Sequence, residues 1–174
     1  MMKKVPNWYV ITGGPDSGKT TIINYLKNLG YTTIPEYARM LIEKEAKNGS
    51  NVRKDKGKFQ FNVLKGKLRL EKKAPKNKTV FLDRGIPDSI AYYHFLKLKV
   101  PMGLDFTSKN RYRKVFVLDM LPYRKDHARR ESEKQAHDIH MWIKRIYKGL
   151  GYKIIRIPVM SVEDRVKLIL KHIK

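Results

Sequence analysis

The sequence predicts an α/β fold in which a five-stranded parallel sheet carries helices on both faces. Short apolar or β-branched runs alternate five times with segments whose apolar residues recur at helical spacing. No sequence repeat or linker interrupts this order, and 174 residues are enough for one full hydrophobic core. Because regular alternation of strand and helix produces a parallel sheet, we expect a single domain over residues 1–174.

The N-terminal part of the chain contains the first two strand–helix units. Trp8–Thr12 is an aromatic and β-branched run, a glycine-rich turn follows, and residues 18–29 have helical spacing. Gly30 ends that helix, and residues 31–34 form the second strand. Pro35 suits the first turn of the next helix. The apolar face of this second helix is formed by Ala38, Leu41, Ile42 and Ala46.

The middle of the chain begins with a polar, basic and glycine-containing segment, residues 48–58, which we predict to be a loop. Helical spacing resumes over residues 59–73. Residues 79–83 are an apolar strand of the kind that parallel sheets bury, and residues 88–98 form the following helix.

The C-terminal part repeats the alternation twice. Residues 115–118 form the fourth strand, residues 132–150 a long helix and residues 152–157 the fifth strand. A closing helix, residues 162–173, begins after Ser161.

Bulk composition narrows the class of protein. The chain has no cysteine, which excludes disulfides and thiolate-bound metals and fits a reducing cytoplasm, the location that we expect. No apolar stretch approaches the length of a transmembrane segment. The five histidines show no metal-ligand spacing, so we predict that they lie on the surface.

The net charge of +23 marks a basic protein, and such a surface attracts polyanions. The densest basic region is residues 44–78, with thirteen lysine or arginine residues and three acidic ones. One interpretation is a groove for RNA, anionic lipid headgroups or a phosphorylated substrate. The other is a solvated face whose lysines reflect overall composition.

The strongest motif is a P-loop between the first strand and the first helix. Its sequence GGPDSGKT satisfies G-x-x-x-x-G-K-[ST] in the structural context that the motif requires. Backbone N–H groups of such a loop surround the β-phosphate of a nucleoside triphosphate, ATP or GTP. Lys19 would bridge the β- and γ-phosphates, and the Thr20 hydroxyl would bind Mg²⁺. The predicted nucleotide-binding residues here are Gly13, Gly14, Pro15, Asp16, Ser17, Gly18, Lys19, Thr20 and Thr21.

Acidic and basic residues follow the second and third strands, at the sheet edge where α/β folds bind ligands. Asp83 ends a Walker B-like strand and is our second predicted Mg²⁺ ligand. Arg84 could hold an acceptor or form a structural ion pair. Glu36 could accept a hydroxyl proton, or it could be a first-turn acid stabilised by the helix dipole. Arg39, one turn later, is compatible with either role of Glu36.

Residues 121–131 form a polar and basic segment between the fourth strand and the long helix, and we predict that they are a lid. Cationic side chains that close over the γ-phosphate would neutralise charge in the transition state of phosphoryl transfer. Arg129 and Arg130 are the candidates, and a solvated helix start is the alternative.

In these motifs the chain resembles small AAA-labelled P-loop proteins related to the kinase domain of bacterial nicotinamide-nucleotide regulators. More distantly it is similar to deoxynucleoside and thymidylate kinases. The segments that carry the resemblance are ITGGPDSGKTTIINYL, IPEYAR, FQFNVLKGKLRLEKK, FLDRGIPDSIAYY, LPYRKDHARRE and LGYKIIRIPVMSVEDRVKLIL.

The resemblance implies a P-loop NTPase fold of kinase type, with the P-loop strand beside the Walker B strand. It also implies a lid arginine at Arg129, a base pocket near Pro158 and a catalytic role for Glu36, Asp83 and Arg84. Three functions follow as hypotheses. The first is a kinase that phosphorylates a hydroxyl of a small acceptor, for example a nucleoside-like molecule. The second is a protein that binds RNA or anionic lipid through residues 44–78 in a nucleotide-dependent way. The third is a polynucleotide kinase.

Overall fold

The computed structural model describes residues 5–122 and 131–173. Its five strands are all parallel and lie in the spatial order β2-β3-β1-β4-β5. The predicted fold class is therefore confirmed. The strands are β1 Trp8–Thr12, β2 Thr32–Ile34, β3 Val80–Asp83, β4 Lys114–Leu118 and β5 Ile154–Ile157.

Helices cover both faces of the sheet because successive strand residues point to opposite sides. Val10 of β1 packs in a core shared with α6, whereas Ile11 packs in a second core shared with α1 and α7. No helix of the described residues is long and apolar enough to cross a membrane. The helices are α1 Lys19–Asn28, α2 Tyr37–Lys47, α3 Lys56–Lys73, α4 Ile86–Phe95, α5 Leu104–Ser108, α6 Glu133–Gly149 and α7 Val162–Lys171.

Two helices begin earlier than the sequence predicts, and one helix was not predicted. α3 begins at Lys56, inside the predicted loop 48–58, because the Asp55 side chain accepts the N–H of Lys58 as an N-cap. α4 begins at Ile86, two residues early, because the Asp88 carboxylate accepts the N–H of Gly85. The short α5 was not predicted, and it occupies one turn between α4 and β4.

Strand register brings the sequence-predicted residues to one edge of the sheet. Ile11 of β1 pairs with Asp83 of β3, and β2 pairs with the other side of β3. The P-loop strand therefore lies beside the Walker B strand, as expected. Because parallel strands end at the same edge, the P-loop, Glu36 and Arg84 meet there.

Candidate active site

The P-loop follows β1 and depends on its glycines for its path. Gly13 and Gly18 have φ values of 143° and 82°, a region that favours glycine. A Cβ atom at Gly13 would lie 2.7 Å from the carbonyl oxygen of Leu118 at the end of β4. The loop therefore fits closely against the sheet edge, and Asp16 is its one non-glycine residue with a positive φ, of 58°.

Lys19, the P-loop lysine, is buried and folded back on its own loop. Its Nζ donates to the carbonyl oxygen of Gly14 at 2.7 Å and to Oγ of Ser17 at 3.2 Å. Burial, and secondarily the charge of Arg84, lowers the pKa of Lys19 to about 8. No carboxylate lies within 4 Å of Lys19 in the described part of the chain, so its charge is available to an anionic ligand.

His140 of α6 supports the P-loop from outside, which corrects the prediction that every histidine is a surface residue. Its Nδ1 accepts the N–H of Gly14 at 3.1 Å, and its side chain is buried. Burial lowers the pKa of His140 to about 4, so the imidazole is neutral and able to accept this bond. A sequence signal existed, since His140 lies on the same helical face as the buried Ala136 and Ile143.

Thr20 and Asp83 lie together beneath the P-loop. The Thr20 hydroxyl donates to Oδ2 of Asp83 at 3.2 Å, whereas Oδ1 is buried with no hydrogen-bond partner among the described residues. Burial, together with the nearby Glu36, raises the pKa of Asp83 to about 6. A hydroxyl beside a carboxylate oxygen that lacks a partner fits Mg²⁺, which takes oxygen ligands and leaves room for phosphate and water.

Arg84 connects three parts of the site through its guanidinium group. Its Nε donates to Glu36 at 2.9 Å, and its Nη1 donates to both Asp88 and the carbonyl oxygen of Gly13 at 3.0 Å. Its φ of 69° is strained for a long side chain. The ion-pair alternative raised for Arg84 is thus present in the structure. The pair also joins the ends of β2 and β3 to the P-loop.

Glu36 is the N-cap residue of α2, but its side chain makes no capping bond. Its carboxylate instead faces Arg84. Burial raises the pKa of Glu36, but the charges of Arg84 and Lys19 outweigh it and hold the pKa below its ordinary value. The carboxylate is therefore ionised at neutral pH.

Asp88 is a functional residue that the sequence interpretation missed, although the spacing Asp-Arg-Gly-x-x-Asp was noted as distinctive. It is fully buried, and Oδ1 accepts the Thr12 hydroxyl at 2.5 Å as well as Arg84. Oδ2 accepts the N–H of Gly85 and the hydroxyl of Tyr147. Burial raises the pKa of this carboxyl, but the charges of Lys67 and Arg84 and the hydrogen bonds from Thr12 and Tyr147 outweigh it and hold the pKa low. Asp88 thereby sets the position of Arg84.

A second buried polar group connects α3 to the same turn. Lys67 donates to the carbonyl oxygen of Gly85 at 2.5 Å. The Tyr112 hydroxyl accepts the N–H of Ile86 at 2.7 Å and donates to Glu71 at 2.6 Å. In the sequence, Lys67 and Glu71 lie in the basic region 44–78, and no motif gives either of them a role.

A cleft of about 850 Å³ collects these groups between the P-loop, α2, α3 and α4. Lys19, Thr20, Glu36 and Arg84 all line it. Asp83 is buried and does not line the cleft, whereas Arg39 lines it and is exposed to solvent. Four more residues of the predicted nucleotide site line the cleft, namely Pro15, Asp16, Gly18 and Thr21.

A second pocket, of about 490 Å³, lies on the other side of the P-loop and is lined by Pro15, Asp16, Leu121 and Val159. The predicted base-pocket residue Pro158 precedes Val159, and its carbonyl oxygen accepts Nε of Arg165 at 2.9 Å. Most of the predicted lid, including Arg129 and Arg130, lies outside the described residues.

Arg165 is another residue that sequence analysis missed. It is buried, and its Nη1 donates to the carbonyl oxygen of Ser17 in the P-loop at 2.7 Å. Nη2 faces the carbonyl oxygen of Asp119. The side chain therefore connects α7 to the P-loop and to the ends of β4 and β5.

The chain shares a family model and its fold with known proteins. A family model described as an AAA domain matches residues 8–165. No curated protein matches the chain. The fold resembles that of NadR in complex with NR, with a TM-score of 0.69 and 18% identity over 94% of this chain. The chain spans 50% of that NadR chain.

Two other solved structures align over nearly their whole length. Thymidylate kinase from Ehrlichia chaffeensis has a TM-score of 0.67 and 16% identity, covering 96% of this chain and 98% of its own. Deoxyadenosine kinase from M. mycoides has a TM-score of 0.63 and 19% identity, covering 95% and 97%. At these identities the likeness establishes the fold alone, which is that of P-loop kinases.

Proposed function

The chain belongs to the AAA domain family, and from this premise we propose that it is a P-loop kinase. It transfers the γ-phosphoryl group of ATP or GTP to a hydroxyl of a small, nucleoside-like acceptor. One observation carries the proposal: the phosphate-binding Lys19 and the Glu36–Arg84 pair line the same cleft. An ionised carboxylate and a guanidinium beside the phosphate site support the deprotonation and binding of an acceptor hydroxyl.

Nucleotide binding is assigned to the P-loop, with the triphosphate on its N–H groups and on Lys19. Thr20 and Asp83 would hold Mg²⁺, which neutralises charge on the phosphates when bound. The base is assigned to the pocket of about 490 Å³ beside Val159. Arg129, on the resemblance to P-loop kinases, would neutralise the transferring phosphoryl group.

The acceptor hydroxyl is assigned to the cleft on the side of α2 and α3. Glu36 is ionised and can take the hydroxyl proton as the oxygen attacks the γ-phosphorus and the bond from that phosphorus to the β,γ-bridging oxygen breaks. Arg84 orients Glu36 and offers its remaining donors to the acceptor. Solved kinases of this fold include proteins described as acting on thymidylate and on deoxyadenosine, which supports a nucleoside-like acceptor.

A nucleotide-dependent polyanion binder is the second candidate, and the surface of α3 favours it. Lys58, Lys65, Arg69 and Lys72 are exposed at helical spacing with no acid between them on that surface. Lys65 lies 5.5 Å from the ring centroid of the exposed Phe61. This face fits RNA, whose phosphates pair with lysines and whose bases stack on aromatic rings. The same surface would serve a polynucleotide kinase.

A turnover assay separates these functions. Phosphorylated product is measured with ATP and GTP over a panel of nucleosides, nucleotides and RNA ends, for the wild-type protein and Lys19→Ala. We expect the wild type to phosphorylate a small acceptor at least a hundredfold faster than Lys19→Ala, and Lys27→Ala, an exposed lysine of the same helix, to retain activity. If the wild type is no faster than Lys19→Ala on every small acceptor, the proposal fails; label on RNA alone would identify the polynucleotide kinase.

A further inference from the structure

Three buried cations have no carboxylate within 4 Å in the described part of the chain: Lys19, Lys67 and Arg165. Arg165 uses Nε and both Nη atoms on backbone carbonyl oxygens and does not line the cleft. These carbonyl oxygens therefore satisfy its guanidinium group within the fold. The two lysines do line the cleft, and each still has a donor to spare.

Lys67 repeats the arrangement of Lys19 on the opposite wall of the cleft. Lys19 Nζ donates to a glycine carbonyl oxygen of the loop after β1 at 2.7 Å and to a serine Oγ at 3.2 Å. Lys67 Nζ donates to a glycine carbonyl oxygen of the turn after β3 at 2.5 Å and to Oγ of Ser89 at 3.3 Å. Burial lowers the pKa of both ammonium groups. Lys19 has no carboxylate partner because a P-loop lysine binds the phosphates of the nucleotide.

Asp88 and Glu71 act on the charge of Lys67 without contacting it, and each of them forms an ion pair with another cation. Asp88 accepts bonds from Arg84 and from two hydroxyl groups. Glu71 accepts two bonds from Arg111 and one from Tyr112. A buried ammonium group without an anion is costly, and an incoming oxyanion removes that cost.

We propose that Lys67, Arg84 and Ser89 form a second anion site, which binds an oxyanion group, a phosphate or a carboxylate, carried by the acceptor. All three side chains line the cleft, and all three are more than nine-tenths buried. The inference rests on the proposed function, because it defines the chemical class of the molecule that occupies the acceptor side. The acceptor then has both a hydroxyl near Glu36 and a negative charge near Lys67.

Binding measurements test this without turnover. The whole chain is saturated with Mg²⁺ and a non-hydrolysable ATP analogue, so that the P-loop is filled. Calorimetry then compares each of the common nucleosides with its 5′-carboxylate and its 5′-monophosphate. We expect at least one charged form to bind ten times more tightly than its nucleoside, and the preferred form distinguishes carboxylate from phosphate.

Matched variants assign that preference to Lys67. Lys67→Met should remove the tenfold difference, whereas Lys148→Met, an exposed lysine of α6, should leave it unchanged. If Lys67→Met does not fold, Ser89→Ala carries the test, with an expected severalfold loss confined to the charged probes. Equal affinity for charged and uncharged forms, no saturable binding of any charged probe, or a preference that survives the variants would overturn the inference. These binding measurements require no phosphoryl transfer, so a failure of the proposed kinase activity would be seen separately from a failure of this inference.

Discussion

The ring of Tyr37 packs on the backbone of Gly66, so closely that a Cβ atom at position 66 would lie 2.0 Å from Cε1 of the ring. Tyr37 follows Glu36, and Gly66 precedes Lys67. This contact therefore joins α2 to α3 next to the two residues to which we assign the acceptor hydroxyl and its charge. α2 has no fully buried residue, so few other contacts hold it in place.

Replacing Gly66 with alanine should displace Tyr37 and with it Glu36. We expect a loss of about 1–3 kcal/mol in the free energy of unfolding, typical of overpacking, and a raised KM for the acceptor. Chemical denaturation and steady-state kinetics measure the two effects. Gly57→Ala in the same helix is the control, since its added Cβ would meet only Asp55 at 3.5 Å. Equal stability of the two variants would contradict the packing argument.

His140 should be needed for nucleotide affinity although it touches no phosphate. His140→Ala leaves the buried N–H of Gly14 without an acceptor, which costs about 1–3 kcal/mol and should weaken ATP binding roughly tenfold or more. His140→Asn, which keeps an acceptor near the position of Nδ1, should recover most of the affinity. Titration calorimetry measures both variants, with His94→Ala, an exposed histidine of α4, as control. Wild-type affinity in His140→Ala would refute the assignment.

Asp83→Asn should stabilise the ligand-free protein in a pH-dependent way. The pKa of Asp83 is about 6 in the folded protein against an ordinary value of 3.8, so ionisation of this buried group destabilises the fold as the pH rises through 6. Two pKa units correspond to about 3 kcal/mol. We expect the full gain from Asn at pH 8 and little gain at pH 4, measured by denaturant unfolding.

The same Asp83→Asn variant should lose Mg²⁺-dependent nucleotide affinity and turnover. Asp138→Asn, an exposed site on α6, should change neither stability nor affinity. A gain in stability that is equal at both pH values would show that burial of the charge is not its cause.

Glu36→Gln should lower kcat with little change in nucleotide affinity. If Glu36 takes the hydroxyl proton, the loss should be about 10²–10⁴-fold, the usual contribution of a general base. Glu43→Gln, on the rim of the same cleft, should lose less than threefold. A loss below tenfold in Glu36→Gln would leave this residue as the structural ion-pair partner of Arg84.

The sequence alone predicted the five strands, their parallel direction and the P-loop, because these depend on short-range patterns. A buried parallel strand must be apolar, an amphipathic helix must follow the 3.6-residue period, and a phosphate loop needs its glycines. The same reasoning correctly placed Glu36, Asp83 and Arg84 at strand ends, since the ends of parallel strands share one edge.

Only the tertiary structure decided which charged groups are paired and which are left without a partner. Lys67 and Lys65 look alike in a basic segment, yet one is buried in the cleft and the other is exposed. His140 supports the P-loop across 126 residues of sequence, and Asp88 holds Arg84 with help from Thr12 and Tyr147. Such pairings depend on helix packing between distant segments, which no local period encodes. The pattern of residues therefore identified the P-loop, and the packing of α3, α4 and α6 against the sheet determined which charged side chains line the cleft.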